Sequence, residues 1–100
     1  MSRIHLYIAA FAALAGCAVA PSQRAVAVHD ADARMVESCA FLGDVQGTSG
    51  VGGLRAGTGI ENAKNEARDK AAQLGATNIV WGTIEGGMGA TASGKAYQCR

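Results

Sequence analysis

The chain opens on a single positive charge, Arg3, and then runs apolar from Ile4 to Ala15 with only His5 interrupting. A helix that crosses a bilayer needs roughly 20 apolar residues, so this run is too short to span. Its length, its basic flank and the small residues that follow it suit the hydrophobic region of a cleaved signal peptide. The first sixteen residues are therefore set apart from whatever domain follows, and residues 17–100 leave room for one modest core.

The apolar run ends in Leu14-Ala15-Gly16-Cys17. This tetrad looks like the lipobox of bacterial lipoprotein processing. Small residues before the cut let the backbone enter the peptidase, and the thiol of Cys17 carries the thioether-linked diacylglycerol. A non-cleaved anchor with Cys17 as a buried apolar residue is the alternative. Two or three acyl chains give stable anchoring where one would not. Ala18, rather than Asp, follows the cysteine. That favours the periplasmic face of the outer membrane over retention in the inner membrane.

Three cysteines in an exported chain leave one unpaired. Acylation of Cys17 accounts for it, and Cys39 and Cys99 are then expected to pair in an oxidising compartment. Charge narrows the partners. Without residues 1–16 the chain carries eight basic and eight acidic residues, so no basic face for phosphates is expected, and nucleic acid is excluded as a partner.

Residues 18–33 read as a tether broken by Pro21, with Ala25 to Val28 as a candidate edge strand; fully extended it would reach about 55 Å. His29, Asp30 and Asp32 lie close together there and are the only candidate metal ligands, but a solvated linker explains them better, and no metal or other cofactor is expected. The chain thus divides into a signal peptide (1–16), an acylated N-terminus and tether (17–33), and a periplasmic domain (34–100).

Within the domain, Arg34 to Val45 reads as a first core strand bulged at Gly43. Gly47 to Gly59 holds six glycines in thirteen residues. It lacks the Gly-Lys-Ser/Thr of a P-loop, and Arg55 stands where a dinucleotide fingerprint needs its third glycine. A mobile surface loop is the expectation. Thr58 and Glu61 form a capping box that starts a helix at Thr58, and Ile60, Ala63, Ala67, Ala71 and Leu74 draw one apolar stripe down it. Glu66 and Lys70 stand in the favourable i, i+4 order, and Gly75 is placed to end the helix in a left-handed cap. Ala76 to Ile84 forms a strand with Trp81 as a packing residue, and Gly86 to Gly89 leads to a last strand, Ser93 to Cys99. The pattern is α+β: a sheet of about three to four strands packed by one main helix.

The series Cys-x-x-Leu-Gly-x-Val-x-Gly from Cys39, Asn-Glu-Ala-Arg-x-Lys-Ala-Ala-x-Leu-Gly-Ala-Thr-Asn-Ile-Val from Asn65, and Ala-Tyr-Gln-Cys at Ala96 resembles a group of small proteobacterial lipoproteins. That group is mostly of unassigned function and is related to RcsF, the outer-membrane sensor of the Rcs envelope-stress phosphorelay. The resemblance covers about residues 36–100 and implies a helix on a sheet tied by a first-to-last-strand disulfide. It brings no catalytic residues. Relative to RcsF this chain lacks a second domain disulfide and the long proline-rich linker, Pro21 being its one proline.

These features point to a non-enzymatic envelope lipoprotein with a protein-interaction or envelope-integrity role. An RcsF-like stress sensor and a small-ligand binder using the glycine loops are the alternatives. Redox enzymes use closely spaced cysteines, and Cys39 and Cys99 are sixty positions apart. A serine nucleophile wants a histidine, and only His29 remains after processing.

Overall fold

The computed structural model describes residues 21–100; the expected signal peptide and lipidation site, Cys17, lie outside the described residues. A short helix α1 (Gln23–Val26) is followed by strand β1 (His29–Asp30) and strand β2 (Ala40–Ser49). A 3-10 turn (Gly53–Arg55) then leads into the main helix α2 (Ala56–Gln73), strand β3 (Asn78–Glu85) and strand β4 (Ala90–Gln98). The strands form one mixed sheet in the order β1-β3-β4-β2, with β1 parallel to β3 and the other pairs antiparallel. Helix α2 covers one face of this sheet, which makes the fold α+β.

The core is built from small side chains. Ala63, Ala67 and Ala71 on α2 and Ala92 and Ala96 on β4 are fully buried, and among the described residues Ile79 is the one large side chain buried as completely. An alanine stripe lets the helix axis come close to the sheet, and the strand beneath must yield. It does so at Gly47, where a Cβ would collide with the backbone of Ala63 and Ala67. The six-glycine stretch is thus not one mobile loop. Gly47 lies in β2, Gly57 and Gly59 lie in α2, and only residues 50–52 connect strand to 3-10 turn. Close packing, rather than turn chemistry, accounts for Gly47.

Several expected boundaries move. The first long strand begins at Ala40, not Arg34, because the sheet order puts β1 and β2 at opposite edges and the chain must cross the end of the sheet between them. Residues 33–38 make that crossing as turns. Asp32 holds them with its carboxylate and its carbonyl, both accepting from the Met35 amide, at 3.0 and 3.1 Å. The bulge falls where expected: the β2–β4 register shifts between Phe41 and Gly43. The capping box does not form the helix start. Gly53 donates its amide to the Gly87 carbonyl at 2.7 Å and the chain winds from there, so α2 begins at Ala56 and Thr58 falls inside its first turn. The cap residue, Arg55, makes no side-chain capping bond. The far end does follow the pattern, with Gly75 at φ 87° after the last turn. Glu66 and Lys70 are paired at 3.2 Å.

The largest difference lies before residue 34. Ser22 caps α1, accepting from the Ala25 amide at 3.0 Å, and donates its hydroxyl to Asp69 on α2 at 2.7 Å. Ala25 is fully buried and Val28 nearly so. His29 and Asp30 pair in register with Asn78 and Ile79, placing the edge strand just after the Ala25–Val28 stretch where it was expected. Residues 22–31 therefore belong to the folded domain rather than to a tether. The sequence hides this because Ala25 to Val28 is a short all-apolar run with no polar period, and only packing against the rest of the domain buries Ala25 and Val28 and leaves Val26 exposed.

Candidate functional site

Three side-chain groups stand out. The first ties the N-terminal segment to the core. Asp30 on β1 accepts from the Arg68 guanidinium at 3.0 and 3.2 Å and from the Trp81 indole N–H at 2.9 Å. Lys64 and Arg68 each place their charge 5.4 Å from the Trp81 ring centroid. Partial burial pushes the Asp30 carboxyl up, but the Trp81 and Arg68 hydrogen bonds and the charges of Arg68 and Lys64 outweigh it and hold the carboxyl below its ordinary value. The carboxylate is shared between Arg68 on α2 and Trp81 on β3, so its chemistry is that of a clasp joining β1, α2 and β3. Of the metal-ligand trio weighed from sequence, Asp30 is held in this clasp and Asp32 in the turn that follows. Among the described residues no three His, Cys, Asp or Glu side chains gather as a metal site.

The second group is the sheet face that α2 leaves open. Asp44 and Lys95 are directly opposite across β2 and β4, with carboxylate and ammonium 3.0 Å apart. The Phe41 and Tyr97 rings stack obliquely beside them at 5.5 Å, and the Lys95 ammonium also lies 5.3 Å from the Phe41 ring. A shallow groove of about 480 Å³ runs along this face past Gln46, Val80 and Ser93. Opposite charges over aromatic rings on a flat strand surface suit a protein or peptide surface better than a deep ligand site.

The third group is the end of the sheet where the 3-10 turn meets the β3–β4 hairpin. The Gly53 amide and Gly87 carbonyl join the two loops. Next to them Leu54 is wholly exposed, Met88 is 91% exposed and Ile84 is 39% exposed. In a domain whose core is mostly alanine, several of the large apolar side chains are on the outside.

Cys39 and Cys99 are disulfide-bonded at the opposite end, just before β2 and just after β4. Trp81 is a half-buried packing residue that touches both core clusters. Sequence reasoning missed the Asp44–Lys95 pair and the Leu54–Met88 end. The former needs the strand register, and the latter looked like loop residues between glycines.

Comparison of the chain with protein-family models, with curated proteins and with solved structures found no match. The functional reading accordingly rests on the residues themselves.

Proposed function

We propose that this chain is a non-enzymatic cell-envelope lipoprotein, held through acylated Cys17 at the periplasmic face of the outer membrane, whose domain works by binding a protein partner. The supporting observation is the placement of its large apolar side chains. Leu54 and Met88 stand in solvent on two loops pinned to each other, while most of the buried core residues are alanine. Exposed apolar residues held on a fixed scaffold mark interaction surfaces. They contribute nothing to the fold that a polar residue would not.

Site-specific photocrosslinking in cells tests this. A photoreactive residue at Leu54 or Met88 is expected to give one discrete heavier product, and the same residue at exposed Glu66 is expected to give none. Equal yields of diffuse products from all three positions would contradict a partner-binding surface.

A further inference from the structure

Folding of residues 22–31 into the domain changes what the anchor allows. Ser22 is bonded to Asp69, Ala25 and Val28 are buried, and β1 is paired, so no slack follows Pro21. Between Cys17 and Ser22 stand only residues 18–21. Five backbone steps span at most about 18 Å, against the roughly 55 Å that a tether running to residue 33 would give.

The point where the tether leaves is also defined. Asp69 is two positions from both Ala67 and Ala71, the buried stripe, and a helix turns about 200° in two residues. Asp69, and Ser22 bonded to it, therefore lie on the side of α2 opposite the sheet. The layers run from the tether root through α2 to the sheet, and the Asp44–Lys95 face is outermost.

We propose that the partner of the helical side is the bilayer itself: α1 rests on the lipid surface, and the open sheet face is turned away from it. The inference rests on the reading that Cys17 is acylated. The chemistry of α1 fits a headgroup layer. Its exposed residues include Arg24, a cation for anionic lipid, and Val26, an apolar side chain 59% exposed, and α1 contains no acidic residue. The consequence for function is directional. The groove past Gln46, Val80 and Ser93 faces the aqueous periplasm, and the domain meets partners close to its own membrane rather than across the compartment.

The test uses the full chain, purified from membranes and returned to vesicles of phosphatidylethanolamine and phosphatidylglycerol. With Cys17 acylated and Cys39 bonded to Cys99, the variants Gln23→Cys and Thr48→Cys each carry one free thiol for a fluorophore, the first on α1 and the second exposed on β2. Lipids spin-labelled at the headgroup are expected to quench the label at position 23 at least twofold more than the label at position 48. Hydroxyl-radical footprinting of the unsubstituted chain makes the same comparison: vesicles should protect Pro21 and Val26 and leave Phe41 and Tyr97 as reactive as in detergent. Equal quenching, or stronger quenching at position 48, in a chain whose mass shows the acyl groups overturns this orientation alone. A mass without acyl groups overturns the lipoprotein reading and the orientation with it.

Discussion

Ser22 and Asp69, far apart in sequence, are joined by a 2.7 Å hydrogen bond that docks α1 on α2. Residues 22–31 pack on the α2–sheet unit from that serine onward. The same serine caps α1, so one hydroxyl both starts a helix and docks it. Ser22→Ala is expected to cost about 1 kcal/mol, the usual value of a lost N-cap. Hydrogen exchange should show the change first in residues 23–30.

Asp30 gives a stability that depends on pH. Its carboxyl sits below the ordinary value of 3.8, with burial opposing and the Trp81 and Arg68 hydrogen bonds prevailing. A group whose pKa is depressed in the folded state stabilises above its unfolded pKa and loses that contribution as pH falls through the folded one. Asp30→Asn should therefore be destabilising at neutral pH, by about 1 kcal/mol for a hydrogen-bonded but solvent-screened charge. The difference from wild type should shrink below pH 3.8. Denaturant melts at neutral and acidic pH check both points, and Trp81 fluorescence reports the clasp directly.

Gly47→Ala tests the close approach of α2. The added methyl meets backbone at Ala63 and Ala67, which cannot swing aside as a side chain could. A loss of about 3 kcal/mol is expected, at the upper end of overpacking costs. Gly50→Ala serves as the control, since nothing lies within 4 Å of its added Cβ.

The Cys39–Cys99 bond closes a span of 60 residues. The chain-entropy model assigns such a loop roughly 4 kcal/mol, a large share of the stability of a domain this small. Reduction, or Cys99→Ala, should lower the melting temperature sharply. Unchanged melting under reducing conditions would contradict it.

Leu54→Ser and Met88→Ser should leave melting within about 0.5 kcal/mol of wild type, as exposed substitutions do. They should remove the crosslinked product seen from neighbouring positions. Loss of stability instead would make these residues part of the fold.

What could be read in the sequence follows from how local its causes are. The alanines of the α2 stripe, the Gly75 cap, the Glu66–Lys70 pair and the Gly43 bulge are written in spacing over a few residues, and each is where the sequence places it, whereas Leu74, expected to close the stripe, is 48% exposed past the end of the helix. The Thr58 cap was misread because the Gly53–Gly87 hydrogen bond, made across 34 positions, starts the helical winding earlier. Residues 22–31 were misread as tether for a similar reason: only contact with α2 and β3 makes them structural. Asp44 and Lys95 became a pair only once the β2–β4 register was known.

We propose an acylated, disulfide-tied domain seated a few residues from its lipid. The intact mass of the membrane-extracted chain, before and after reduction and alkylation, tests it most directly. A mature chain starting at acylated Cys17 is expected, with no alkylatable thiol until reduction exposes Cys39 and Cys99. An unprocessed chain with free thiols would contradict it.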